Sequence, residues 1–160
     1  IAFIHKTRPI FGVVYVPVSG VTYMGCEGVG AERRDPEGTT SIRVSTESES
    51  PVRVVGSRSH RGASLDAFLE NLGQFDMHPM GSSLKFCRVA EGAADIYPRL
   101  GPTSEWDTAA AHGILCAAGG EIVDLQFRPL RYNSKPELLN PFFIALADRA
   151  YPWKQLLDKQ

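Results

Sequence analysis

Long apolar runs are missing from this 160-residue sequence: no stretch approaches the ~20 residues of a membrane-spanning helix. A basic-then-apolar leader is missing as well. There is no excess of either charge. Seventeen Lys and Arg face 18 Asp and Glu, for a net charge of −1. No whole-chain field therefore draws the molecule toward nucleic acid polymers or an anionic membrane, and any anion site must be local. Cysteine is scarce. Cys26, Cys87 and Cys116 are odd in number and widely spaced, with no C-x-x-C pair and no zinc spacing. They read as reduced core thiols of a cytosolic protein.

Several catalytic signatures are absent too. There is no G-x-S-x-G elbow, no Walker A loop and no Cys/His pair close enough to suggest a nucleophile. His5, His60, His78 and His112 form no i, i+4 metal pair, and Glu91, Asp95 and Asp124 have no acidic neighbours at metal-site spacing. The sequence also lacks an initiator methionine. It opens with IAFIHKTRPIFGVVYVPV, already strand-like, and reads as a chain that begins inside its own domain.

What is present is ordinary for a globular domain: 43% hydrophobic and 22% charged residues, enough for one real core. Residues 10–18 read as a buried strand and 21–31 as its hairpin partner. Residues 33–51 are polar, with Pro, Gly and Ser, and read as a surface excursion. A strand over 52–56 follows, then an amphipathic helix over 64–73 with Leu65, Phe68, Leu69 and Leu72 on one face. Gly81-Ser82-Ser83 opens a second helix that stops at Gly92. A strand over 93–98, a helix from about Thr108 to Ala118, strands over 121–125 and 141–148, and a closing helix over 149–159 complete the chain. The alternation predicts α/β layers.

Four stretches carry candidate chemistry. In SEWDTAAAHGILCAAGG (104–120), Asp107 reads in two compatible ways. It can be an N-cap accepting the amides of Ala109 or Ala110, and it can offer a carboxylate to a hard cation such as Mg²⁺. Small residues after it let another segment approach closely. His112, on the same helix, reads as a helix-face residue, not a ligand. In GSSLK (81–85), the free amides of a helix start and the Lys85 charge suit an anion, against an ordinary capped helix with an exposed lysine. In GSRSHRG (56–62), serines, arginines and His60 gather after a strand, where α/β sheets bind ligands, against a plain polar loop. In YPRLGPTSEWD, Arg99 is the fork-shaped candidate for phosphate or base, against a surface arginine.

EWDTAAAHGILCAAGGEIVD resembles the C-terminal signature of the inositol monophosphatase superfamily. GSSLKFCRVAEGAADIYPRLGPTSEWDTAAAHG, SRSH and LLNPFFIAL resemble one branch of it, the bacterial 3′(2′),5′-bisphosphate nucleotidases, from about Ile10 to about Leu146. The resemblance implies a layered αβαβα fold. It implies a Mg²⁺-dependent, typically lithium-sensitive phosphatase acting on adenosine 3′,5′-bisphosphate, a by-product of sulfate activation. It further implies Asp107 as a metal ligand at the substrate edge. Ser57, His60, Gly81, Ser82, Lys85 and Arg99 become nucleotide contacts. Inositol-preferring relatives usually carry a glutamate near Arg99. The family's Asp-Pro-Leu-Asp-Gly-Thr motif and upstream Glu-Glu pair, which supply most metal ligands, do not occur. The expectation is the C-terminal half to two-thirds of such a domain, with no catalytic residue of its own and poor turnover alone. A sugar phosphatase and a non-catalytic phosphate-binding module remain as alternatives.

Overall fold

Burial alternates with a period of two over residues 2–5 and 21–26, and both stretches become strands of a meander. The computed structural model describes residues 1–48, 50–57 and 62–157. β1 (Ala2–His5), β2 (Arg8–Val16), β3 (Val21–Cys26), β4 (Gly30–Asp35) and β5 (Gly38–Ile42) pair antiparallel in that order. The register runs Val14↔Tyr23, Tyr23↔Arg33 and Arg33↔Thr40. This corrects the surface excursion expected over 33–51, whose first part is a hairpin. β5 escaped notice because it is a sheet edge, exposed at four of five positions and without an apolar face. Backbone pairing holds it, and Asp35 Oδ1 closes the turn by accepting the amides of Glu37 and Gly38 at 2.9 and 3.1 Å.

The second half follows the α/β expectation more closely. β6 (Val52–Gly56) runs parallel to β7 (Phe75–Pro79) on one side and β8 (Ile96–Arg99) on the other. β10 (Phe143–Leu146) is antiparallel to both β8 and β9 (Glu121–Asp124), giving the order β7-β6-β8-β10-β9. β7 was not anticipated: its polar FDMHP sequence is an edge strand held by its ladder to β6. The helices are α1 (Ala63–Leu72), α2 (Leu84–Ala90), α3 (Glu105–Ala117) and α4 (Trp153–Leu157). The closing helix starts at 153, not 149, because Pro152 keeps the residues before it out of helical geometry.

Two apolar clusters order the layers. Tyr23 and Ala31 of the first sheet meet Phe86, Ile114 and Phe143 in one, with α2 and α3 between the sheets. Val54, Ile96 and Ile144 meet Phe68, Leu69 and Trp153 in the other, with α1 and α4 outside. The described residues thus form sheet, helix, sheet, helix, four of the five layers expected. Only Cys87 is a fully buried thiol. Cys26 is half-buried and Cys116 exposed, and all three are unpaired. No described helix is long and apolar enough to cross a membrane.

The small residues of α3 do what the sequence predicted. A Cβ added at Gly12 would lie 1.9 Å from the Ala110 carbonyl oxygen, and one at Gly25 would lie 2.7 Å from Ile114 Cα. α3 therefore rests on β2 and β3 backbone to backbone. Side-chain ties finish the assembly. Tyr23 donates to Glu91 at 3.1 Å, and Asp95 accepts the backbone N–H and guanidinium of Arg53. The acids without metal-site spacing are structural.

Candidate functional site

All three parallel strands of the second sheet end at one cleft. Ser57 follows β6, Gly81 and Ser82 follow β7, and Arg99 closes β8. With Lys85 and Asp107 they line a cavity of about 390 Å³. Two larger cavities, about 570 and 640 Å³, lie along the first sheet and the C-terminal end of α3 and contain none of these residues. The chemistry, not the volume, selects the smaller one. His60 lies outside the described residues. Six of the seven expected residues are therefore seen together.

The backbone explains the convergence. Gly56 accepts the Met80 amide at 2.9 Å, which draws the segment after β7 across the end of β6. Ser82 has φ of 53°, the left-handed region, and this bend sends the chain into α2. α2 has seven residues, so its dipole is short, and the positive charge of the cleft comes mainly from side chains.

Lys85 is not the exposed lysine of the plain alternative. Only 5% of it is exposed, and its ammonium sits 5.0 Å from the centre of the Tyr97 ring. Burial, then the charge of Arg99, lowers its pKa from 10.5 to about 8. No carboxylate lies within ion-pair distance of it among the described residues. Arg99 donates to the Pro102 carbonyl at 2.6 Å, while its Nε is buried with no hydrogen-bond partner among the described residues. Two cations thus share a cleft with one carboxylate, Asp107, and neither is ion-paired among the described residues, which suits an anionic ligand.

Asp107 requires a correction. It is not the N-cap. α3 begins at Glu105, three residues before the expected start, and Ser104 caps it. Asp107 is the third residue of the helix and completes a capping box: its Oδ2 accepts the Ser104 amide at 3.0 Å and the Thr103 hydroxyl at 3.2 Å. Its backbone carbonyl accepts from Ser83 Oγ at 3.2 Å, tying α3 to the entry of α2. The S-x-x-D spacing of Ser104 and Asp107 could have revealed the true start.

Sequence reasoning also missed Ser83, Tyr97, Thr103 and Thr108, which line the same cleft. His112, read as a helix-face residue, lies on the inner face of α3. It is buried, its Nδ1 lies 2.9 Å from Tyr132 Oη, and burial lowers its pKa to about 3. Among the described residues, no group of three or more His, Cys, Asp or Glu could hold a metal ion. Asp107 is the only carboxylate lining the described cleft, so these residues do not make a metal site by themselves.

A model of the inositol monophosphatase family matches residues 1–151. The chain belongs to this family. Members of the family named 3′(2′),5′-bisphosphate nucleotidase CysQ are similar to it. The Escherichia coli K12 protein is 45% identical over 143 residues, covering 89% of this chain and 57% of its own length. The Haemophilus influenzae protein is 31% identical over 160 residues, covering 99% of this chain and 60% of its own length. The crystal structure of CysQ from Bacteroides thetaiotaomicron superposes with a TM-score of 0.84 at 38% identity, over 92% of this chain and 61% of that one. An inositol monophosphatase from Zymomonas mobilis, 18% identical with a TM-score of 0.79 over 98% of this chain and 60% of that one, shares the fold. The chain spans a little under two-thirds of these relatives.

Proposed function

We propose that this chain is the nucleotide-holding part of a phosphatase acting on adenosine 3′,5′-bisphosphate, releasing the 3′-phosphate to leave AMP. The observation that carries this reading is Lys85 and Arg99 in one cleft at the ends of three parallel strands, neither ion-paired to a carboxylate among the described residues. The names of the similar proteins support the nucleotide class. The likeness to inositol monophosphatases under 25% identical supports the fold alone.

Hydrolysis adds water across the phosphoester: one oxygen joins phosphorus, and the leaving oxygen takes a proton. This chain's contribution is binding and orientation. Lys85 and Arg99 neutralise phosphate oxygens, Ser57, Ser82 and His60 contact the nucleotide, and Gly81 lets it approach the backbone. Mg²⁺ is the cofactor this reading implies, with Asp107 as one ligand. Other carboxylates would come from a portion of the domain outside residues 1–160, so the chain alone should bind substrate weakly and turn it over poorly. Unpaired thiols fit a reducing, cytoplasmic setting.

The test is phosphate release from adenosine 3′,5′-bisphosphate beside inositol 1-phosphate, with magnesium, by the enzyme containing this chain. Preferential release from the nucleotide, falling at least ~100-fold in Asp107→Asn, is expected. Equal or greater release from inositol phosphate would favour the sugar-phosphatase alternative, and release from neither would favour a binding module.

A further inference from the structure

A buried polar network stands directly behind Asp107, and its proton count runs one way. Tyr132 donates to Thr108 Oγ1 at 3.1 Å, and Thr108 donates to the Glu105 carbonyl at 3.1 Å. Each hydroxyl has one hydrogen, so the contact of His112 Nδ1 with Tyr132 Oη requires the histidine to donate. Thr108 Oγ1 also accepts from Asn140 Nδ2 at 3.1 Å. One hydroxyl, on the residue after Asp107, thus gathers three partners from two chain segments.

The second segment is a strap. Between β9 and β10 the chain crosses the start of α3 without helix or long strand, yet it is tied at each step. Asn133 N–H donates to Glu105 Oε2 at 2.9 Å, Glu105 N–H to the Leu138 carbonyl at 2.8 Å, and Asn140 N–H to the Thr103 carbonyl at 2.9 Å. Ser104 and Leu139 form an isolated bridge. Tyr132 N–H reaches back to the Thr7 carbonyl at 3.0 Å, in the turn between β1 and β2. Apart from the Thr7 contact, the ties fall between Thr103 and Thr108, at the start of α3 that carries Asp107. Stability alone does not account for it: Glu105 Oε1 and Asn140 Oδ1 are left buried without hydrogen-bond partners among the described residues. Buried unpaired acceptors are unfavourable and mark sites under a further constraint.

We propose that Tyr132, Thr108 and Asn140 are positioning residues: they hold the first turns of α3 from behind, and so fix where the Asp107 carboxylate meets the cleft. This rests on the reading of Asp107 as part of the working site. Burial lowers the pKa of His112 to about 3, so its ring stays neutral through ordinary pH.

The test uses Tyr132→Phe and Thr108→Val, with Thr108→Ser as the conservative variant that keeps the hydroxyl. In the enzyme containing this chain, kcat on adenosine 3′,5′-bisphosphate should fall about 10- to 100-fold with KM within about twofold, and Thr108→Ser should recover most of it. Amide exchange at Ser104, whose N–H is bound to Asp107 Oδ2, should quicken at least about tenfold in both disruptive variants. A lowered Tm with kcat per folded molecule and Ser104 exchange unchanged would make the network merely structural and overturn the proposal. A wild-type enzyme that releases no phosphate would sink the nucleotidase reading instead. The exchange measurement would then decide the strap alone: faster exchange at Ser104 upholds it, and unchanged exchange rejects it.

Discussion

The two sheets are built from the same strand-forming residues and do different work. The first pairs consecutive strands through short turns, and none of its side chains lines the cleft. The second reaches its neighbours by crossover, so segments far apart in sequence finish side by side. Ser57, Gly81 and Arg99 meet for that reason. A meander keeps its neighbours local, whereas parallel strands direct equivalent ends to one place. One sheet is a platform and the other a collector.

The contrast can be broken from the platform side first. Gly12→Ala puts a methyl into the Ala110 carbonyl, where neither backbone can yield. A loss of about 3 kcal/mol is expected, read by denaturant unfolding, with activity per folded molecule falling only if α3 shifts. Full stability would mean that the platform is soft.

Lys85→Met sharpens the collector side. Removing a buried cation without a carboxylate partner should leave stability unchanged or slightly raised, while weakening phosphate binding about 10- to 100-fold, as expected for loss of a charged hydrogen bond. Calorimetric titration and thermal unfolding of the same protein separate the two.

A pH series on the unmodified protein is gentler. Lys85 has a lowered folded pKa, so the native state releases its proton at about 8 while the unfolded chain holds it to near 10.5. Between these values the unfolded state binds more protons, so the Lys85 contribution to stability rises with pH. Anion binding should instead weaken above about 8 as the ammonium is lost. Lys85→Met should abolish both trends, and trends that persist in it belong to another group. The smallest effect is expected at the sheet edge. Thr40→Ala on β5 should change stability by no more than about 0.5 kcal/mol by chemical denaturation.

How much was legible follows the same division. Strand and helix alternation over 52–146 could be read because its buried segments are apolar runs bounded by glycine or polar turns. Ser57, Gly81, Ser82, Lys85, Arg99 and Asp107 could be picked out because they sit in short motifs near element ends, whereas Ser83, Tyr97, Thr103 and Thr108 carried no such mark. β5 and β7 hid because edge strands need no apolar face. The start of α3 was displaced because an aspartate before an alanine run looks like a cap, although Ser104 three residues earlier holds that place. The Thr108–Tyr132–Asn140 network was beyond reach: its members are 24 and 32 residues from Thr108, and no local pattern ties a threonine to them.

Contact between α3 and the first sheet has one more consequence. Side chains pressed together can relieve a push by changing rotamer, but Gly12, Gly25 and Gly113 offer none to change. A helix seated on bare backbone cannot roll about its long axis without lifting off. The compass bearing of Asp107 is therefore set by the curvature of a sheet that contributes no atom to the cleft.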